Sequence, residues 1–155
     1  MPLGYYKDEE KTASTFRVVG GKRWSIPGDY ATVELDGKLN LLGRGSVCIN
    51  TGGEKVFPEE VEEVLKLDPT VRDAVCVGIA DKRFGQRICA VVEAEPGAGV
   101  PDLVGLVELT KSRLAGYKVP RELVIVESIA RAPSGKVDYM ALTALAARAL
   151  GVSEL

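Results

Sequence analysis

The sequence contains no histidine. This absence excludes serine and cysteine nucleophiles that need a histidine base, zinc sites with imidazole ligands, and pH switches based on histidine. Cysteine is scarce too. Cys48, Cys76 and Cys89 are odd in number and have no CxxC spacing, so we expect core or near-core positions and no disulfide or metal site. The chemistry of this chain therefore depends on lysine, arginine, carboxylates or backbone amides.

Long apolar runs and an excess of one charge are also missing. The N-terminal residues lack the apolar segment of a signal peptide, and no apolar run approaches the ~20 residues needed to span a bilayer. We therefore predict a cytoplasmic protein with no transmembrane segment. Lys and Arg number 20 against 22 for Asp and Glu, which gives a net charge of -2 and no electrostatic reason to expect a nucleic-acid partner.

The first third of the sequence has no regular pattern of secondary structure apart from one hairpin, and the rest alternates between helices and strands. Residues 30–42 predict a β-hairpin, with Asp36-Gly37 as a type I′ turn between two alternating strands. After Arg44, helices and buried strands alternate, which predicts an α+β fold with a short mixed sheet flanked by about three helices. The predicted helices are 58–65, one capped by Asp102 and one capped by Asp138, and the predicted strands are 74–79, 88–94 and 122–126.

Two glycine-containing loops, residues 50–55 and 132–137, each carry a lysine. Glycine lets the backbone approach a ligand and present its amides, and lysine adds a mobile positive charge. The second loop lacks the earlier glycine and the final Ser or Thr of a phosphate-binding P-loop. Spacing alone therefore favours the simpler interpretation, a tight turn with a solvated lysine.

The order of four short sequence motifs favours a ligand-binding role for these loops over a simple turn. They are WSIPGD at residues 24–29, GR at 43–44, TGGEKVFPEEVE at 51–62 and PSGKVD at 133–138. Together they resemble the adenylate-forming superfamily of acyl-CoA synthetases, luciferases and peptide-synthetase adenylation domains, and most of all the fatty-acyl and related acyl-CoA synthetases. The resemblance covers essentially the whole chain. It implies that residues 1–43 are the last strip of a large N-terminal domain and that residues 44–155 are the mobile C-terminal domain.

The resemblance also implies roles for individual residues. Asp29 corresponds to the acid that accepts the ribose hydroxyls of ATP or AMP, a task that suits two carboxylate oxygens. Arg44 corresponds to an arginine near the same ribose. Lys136 corresponds to the catalytic lysine of adenylation, which bridges the substrate carboxylate and the α-phosphate while pyrophosphate leaves.

The remaining implied contacts concern coenzyme A. Gly52, Gly53 and Glu54 match the loop that lines the pantetheine tunnel in the thioester step, and Lys118 matches basic residues that can meet CoA phosphates. The small domain of the family is thought to rotate between the two steps.

The hinge of that rotation is where this sequence departs from the family pattern. The position that is commonly Asp or Lys is Ser46, which we keep as the expected hinge. The next residue is Val47 rather than Asp. Pro27 replaces a threonine and so removes a hydroxyl contact, but it leaves the assignment of Asp29 unaffected.

We therefore expect the C-terminal part of an ATP-dependent acyl-CoA synthetase that is inactive alone and holds no cofactor tightly. The intact enzyme would use ATP with Mg²⁺ to convert a fatty or steroid-like acid into acyl-AMP, then transfer the acyl group to CoA. The resemblance places the phosphate-binding loop and acyl pocket in an N-terminal domain that acts as partner. Two alternatives stay open: a stand-alone nucleotide- or CoA-binding module without catalysis, and part of an amino-acid adenylation domain. We also expect the isolated chain to self-associate through residues 1–43 or to leave them poorly ordered.

Overall fold

The computed structural model describes residues 1–26 and 28–152, apart from the side chains of Asn40, Arg44 and Ser46. These residues divide into two compact units, Met1–Ser46 and Val47–Leu155. We call them the N-terminal unit and the C-terminal unit. The predicted boundary between residues 43 and 44 stays a prediction.

The described part of the N-terminal unit consists of a short helix and two antiparallel hairpins. Its elements are α1 (Glu9–Thr15), β1 (Phe16–Val19), β2 (Lys22–Ser25), β3 (Asp29–Val33) and β4 (Leu39–Arg44). The Asp8 side chain accepts a hydrogen bond from Lys11 N and so caps α1. Gly20 and Gly21 join β1 to β2 with φ of 59° and 75°, as a type I′ turn requires. No described residue of this unit is buried.

The turn of the second hairpin differs from the prediction. Only Gly37 of the predicted Asp36-Gly37 pair has a positive φ, of 83°. Gly37 N donates to Glu34 O, and Glu34 N donates to Lys38 O, both at 2.9 Å. These bonds define a three-residue loop, a type I turn followed by a glycine bulge. The Asp36 carboxylate accepts from Lys38 N and so stabilises this turn in place of the left-handed conformation that a type I′ turn needs.

The described part of the C-terminal unit is a five-stranded mixed sheet flanked by three helices, which confirms the predicted fold class. The strand order is β6-β5-β8-β7, and β9 pairs with β8 in parallel. The elements are β5 (Ile49–Thr51), β6 (Glu54–Val56), α2 (Pro58–Leu65), β7 (Val71–Asp81), β8 (Gly85–Ala94), α3 (Leu103–Lys111), β9 (Glu122–Val126) and α4 (Tyr139–Ala149).

Helices cover both faces of the long β7–β8 hairpin, which is why both strands read as near-continuous apolar runs. On one face, α2 and α3 pack through Val61, Leu65 and Leu106. On the other face, α4 packs through Leu142 and Ala146. Cys76 and Cys89 are buried and Cys48 is half-buried, in line with core or near-core positions. None of the helices in the described residues combines the length and apolar composition that crossing a bilayer requires.

Capping side chains begin two of these helices where the sequence predicts. Asp102 accepts from Val104 N and Gly105 N at the start of α3, and Asp138 accepts from Ala141 N at the start of α4. Each bond satisfies an amide that has no partner within the helix. The second cap fixes where α4 starts, three residues after Lys136.

Candidate functional site

The first glycine loop is a tight hairpin turn between β5 and β6, and we call residues 51–54 the glycine turn. Gly52 and Gly53 have φ of 60° and 88°, so both occupy the left-handed region that glycine accepts without strain. Gly52 N donates to Phe84 O at 2.9 Å, which ties the turn to the loop between β7 and β8. Gly53 and Glu54 are exposed. The turn therefore presents backbone to solvent from a fixed position.

Phe84, which the sequence analysis missed, shapes the surroundings of the glycine turn. A β-carbon added at Gly52 would lie 3.2 Å from Phe84 Cδ1, closer than ordinary van der Waals contact. The guanidinium groups of Arg83 and Arg121 lie 5.0 and 4.5 Å from the Phe84 ring centroid, within cation–π range. No local pattern in the sequence pairs Arg121 with Phe84, because the contact depends on the fold of β9 onto β8.

The second loop forms a closed turn, and we call residues 132–136 the lysine turn. Gly135 N donates to Ala132 O at 2.8 Å, and Ala132 N donates to Lys136 O at 2.9 Å. Lys136 is exposed, and within the described residues its ammonium has no hydrogen bond or ion pair. A compact cation on a flexible stem is thus free to reach a ligand. The role of Lys136 in adenylation stays a prediction.

An ion pair holds the residue before the lysine turn. Arg131 donates to both carboxylate oxygens of Asp73, at 2.6 and 2.9 Å, and its Nη1 donates to Gly135 O at 3.3 Å. Burial disfavours the charged form of Asp73, but the hydrogen bonds and charge of Arg131 outweigh it and lower the pKa of Asp73. The same hydrogen bonds raise the pKa of Arg131. Sequence reasoning missed this pair because 58 residues separate its members.

A buried carboxylate holds the first residue of α4. Glu62 is only 4% exposed, and its Oε1 accepts from Cys76 N at 2.9 Å and from the Tyr139 hydroxyl at 3.2 Å. Burial raises the pKa of Glu62 to about 7. The sequence analysis assigned no role of its own to Glu62, although its position three residues before Leu65 puts it on the apolar face of α2. That spacing is the signal that could have found it.

The two turns lie at opposite ends of the β7–β8 hairpin. Phe84, which contacts the glycine turn, belongs to the loop that joins the two strands. Asp73, which holds Arg131 beside the lysine turn, pairs with Glu93 near the other end. Strands rise about 3.3 Å per residue, so the span between these ends is about 25 Å. A single small ligand cannot contact both turns at once.

The predicted ribose contacts lie in the N-terminal unit. Asp29 is the first residue of β3, is exposed, and is the register partner of Arg44 on β4, so the backbone places the two residues directly opposite each other. Ser46 lies in a short 3₁₀ turn, Gly45–Val47, that spans the boundary between the units. The side chains of Arg44 and Ser46, and all of Pro27, lie outside the described residues. The assignments of these residues stay predictions.

Lys118 is placed differently from Lys136. It lies in the 3₁₀ turn Gly116–Lys118, and its ammonium forms an ion pair with Glu60 of α2. Both side chains are less than one-fifth exposed, at 17% and 19%. The predicted contact with CoA phosphates is untested, and it would require Lys118 to share its charge with Glu60.

The described part of the chain brings together no group of three or more cysteine and acidic side chains that could hold a metal ion. We therefore assign no Mg²⁺ ligand to these residues.

Part of the C-terminal unit is similar to a known protein family. Residues 60–136 match the AMP-binding enzyme C-terminal domain. The match ends at Lys136 and includes Lys118 and the Asp73–Arg131 pair. A medium/long-chain-fatty-acid–CoA/3-oxocholest-4-en-26-oate–CoA ligase of Mycobacterium tuberculosis is 58% identical over 139 residues, which is 90% of this chain and 25% of the ligase. The chain thus spans about a quarter of the length of this curated relative.

Solved structures of related enzymes share the fold. The amide bond synthetase McbA from Marinactinospora thermotolerans is 35% identical with a TM-score of 0.79, over 92% of this chain and 28% of that enzyme. The o-succinylbenzoate CoA synthetase MenE from Bacillus subtilis, in complex with the acyl-adenylate intermediate OSB-AMP, is 30% identical with a TM-score of 0.79, over 90% of this chain and 27% of that enzyme.

Proposed function

We propose that this chain contains the C-terminal domain of an AMP-binding, adenylate-forming enzyme and that it completes the active site of an acyl-CoA synthetase that activates fatty or steroid-like carboxylic acids. The observation that carries the proposal is the exposed Lys136 on a closed turn. The acid class follows the name of the M. tuberculosis relative. ATP and CoA are the co-substrates, and an N-terminal adenylation domain supplies the acyl pocket and the phosphate-binding loop.

In the first step, a carboxylate oxygen of the acid attacks the α-phosphorus of ATP. An acyl-adenylate forms as the bond to pyrophosphate breaks. Negative charge builds on the phosphate oxygens during this exchange, and a positioned ammonium stabilises that charge more strongly than it stabilises the ground state. Lys136 supplies the ammonium. It has no competing partner within the described residues, so no ion pair must break first.

In the second step, the sulfur of CoA attacks the acyl carbon and AMP leaves. The glycine turn contributes here because consecutive glycines leave room for the narrow pantetheine arm beside the backbone. Gly52, Gly53 and Glu54 line this passage. The bond from Gly52 N to Phe84 O keeps the turn in place while the arm enters.

The C-terminal unit changes orientation between the two steps. The span of about 25 Å between the glycine turn and the lysine turn supports this, because the two turns cannot serve one reacting centre from a single orientation. The 3₁₀ turn Gly45–Val47 contains the hinge, at Ser46. Asp29 and Arg44, opposite each other on β3 and β4, contact the ribose of the nucleotide.

The test is a chimera in which this chain replaces the matching C-terminal quarter of the M. tuberculosis ligase. With a long-chain fatty acid, ATP, Mg²⁺ and CoA, the chimera should produce acyl-CoA and AMP, while the isolated chain should produce neither. A folded chimera that binds ATP but forms no acyl-CoA contradicts the proposal.

A further inference from the structure

The segment that leads into the lysine turn is held by two carboxylates of the sheet. We call residues 128–131 the lead-in. Ile129 is buried, and its N donates to Glu93 Oε2 at 3.1 Å. Arg131 forms its two-pronged bond with Asp73 two residues later. The lead-in is thus fixed to β8 through Glu93 and to β7 through Asp73.

An irregularity in β7 sets up this arrangement. Val71 pairs with Ala94 and Asp73 pairs with Glu93, so Arg72 is an extra residue in the ladder. Such a bulge changes the direction in which neighbouring side chains point. Arg72 pairs with Glu93 at 3.3 Å, while Asp73 is left for Arg131. The carboxylates of Glu93 and Asp73 therefore both bind the lead-in, at the same end of the β7–β8 hairpin.

The lead-in contains a strained backbone conformation at Ala130, between the two residues that bind the sheet. Ala130 has a φ of 53°, in the left-handed region that disfavours residues with a β-carbon. The backbone N–H of Ala130 donates a hydrogen bond to Ser128 Oγ at 3.1 Å, and this bond lies within the lead-in. Strain of this kind persists where the surroundings determine the conformation, and it is common beside functional groups.

The other side of the lysine turn is also held. Tyr139, the first residue of α4, donates to buried Glu62 at 3.2 Å, and Asp138 caps the helix. The backbone of the turn is therefore fixed before and after Lys136, while the Lys136 side chain is exposed. A fixed backbone with a free ammonium at its tip is the arrangement that preorganised charge stabilisation needs.

We infer that Arg131 and Asp73 are positioning residues for Lys136 in the adenylation step. Arg131 acts through its bonds to Asp73 and to Gly135 O, the carbonyl next to Lys136. The inference rests on the proposed function. Displacing a catalytic group by about 1 Å can reduce a rate by about 100-fold, so loss of this pair should slow adenylation strongly. The thioester step does not use Lys136 and should be spared.

The experiment uses the chimera described above and measures the two steps separately. Adenylation is followed as pyrophosphate release without CoA, and thioester formation is followed from purified acyl-adenylate and CoA. The variants are Arg131→Ala, Asp73→Ala, the double variant and Arg131→Lys, which keeps the charge but loses the two-pronged geometry. The matched control is Arg113→Ala, which removes an exposed arginine of the same unit.

Arg131→Ala and Asp73→Ala should each lower kcat of adenylation by about 10- to 100-fold, with little change in KM for ATP or the acid. The double variant should lose no more than either single variant, because one interaction is removed in all three. Arg131→Lys should lower kcat of adenylation by less than Arg131→Ala does. Arg113→Ala should leave the rates of both steps unchanged.

Two results overturn the inference while leaving the proposed function intact. One is a chimera whose adenylation rate is unchanged in Arg131→Ala. The other is an equal fall of both steps in Arg131→Ala and Arg131→Lys, since a merely structural role would damage both. A chimera without substitutions that makes no acyl-adenylate contradicts the proposed function, and this inference with it.

Discussion

Two lysines show how surroundings decide what a side chain can do. Lys118 is mostly buried in an ion pair with Glu60, so its charge serves the contact between α2 and a turn. Lys136 has the same chemistry but is exposed on a closed turn. A free ammonium can follow a ligand, whereas a paired one must first break its bond. This difference is the reason that Lys136, and not Lys118, carries the proposed chemistry.

Glu62 makes the stability of the C-terminal unit depend on pH. Burial raises the pKa of Glu62 from 4.5 to about 7. Between pH 4.5 and about pH 7, the folded protein therefore keeps a proton on Glu62 that the unfolded chain has lost. The unfolded state binds fewer protons there, and stability falls as pH rises from about 4.5 to about 7 and is then level. Glu62→Gln keeps an acceptor for Cys76 N and removes the charge.

We therefore predict that Glu62→Gln is more stable than the original protein above pH 7, by up to about 3 kcal/mol, with a difference that shrinks to a small value near pH 4.5. Urea unfolding at a series of pH values measures this. Glu63→Gln, at an exposed carboxylate one residue away, is the matched control. A pH-independent difference for Glu62→Gln would refute the account of its burial.

At the scale of elements, the glycine turn offers a matched pair of substitutions. Gly52→Ala and Gly53→Ala both place a β-carbon on a residue with positive φ, which costs about 1–2 kcal/mol in each case. Only the β-carbon at Gly52 meets Phe84, at 3.2 Å, while nothing lies within 4 Å of the one at Gly53. Gly52→Ala should therefore be the more destabilising in urea unfolding. Equal losses would mean that Phe84 does not constrain the turn.

Local elements are what the sequence predicts well. Asp102 and Asp138 begin helices where their caps indicate, and the runs around residues 74–79 and 88–94 are strands buried on both faces. These features depend on neighbours a few residues away. The predicted type of the turn at Asp36-Gly37 was wrong. The Asp36 carboxylate accepts a hydrogen bond from Lys38 N, and this bond competes with the left-handed conformation that a type I′ turn needs at Asp36.

Contacts between distant residues are what the sequence does not reveal. Arg131 and Asp73 lie on different elements, and no spacing rule links them. The Lys118–Glu60 pair has the same separation in sequence and was equally unforeseen. For the candidate site, the order of motifs suggested which residues matter, but the structure was needed to place the two turns at opposite ends of one hairpin.

At the scale of the whole molecule, the two units differ in how they are stabilised. The C-terminal unit has a core on both sides of its sheet. The described residues of the N-terminal unit include no buried one, and exposed large side chains such as Trp24, Leu35 and Leu41 lie on it. Backbone hydrogen bonds that face water open at low cost in free energy.

We therefore predict that amide hydrogens of residues 1–46 exchange rapidly in the dilute isolated chain, while those of β7 and β8 exchange slowest. Hydrogen exchange followed by mass spectrometry measures this. Raising the protein concentration should protect residues 1–46 if the chain self-associates through its exposed apolar side chains. A monomer at every concentration with well-protected residues 1–46 would contradict the prediction.

The central claim is that this chain supplies the ammonium for adenylation from the lysine turn and serves the thioester step from a different surface. The most direct test is Lys136→Ala in the chimera, with the two steps assayed separately. We predict that pyrophosphate release falls by about 100-fold or more, as removal of one transition-state contact does, while purified acyl-adenylate and CoA still yield acyl-CoA at nearly the original rate. Unchanged adenylation, or loss of both steps in a folded protein, would contradict the claim.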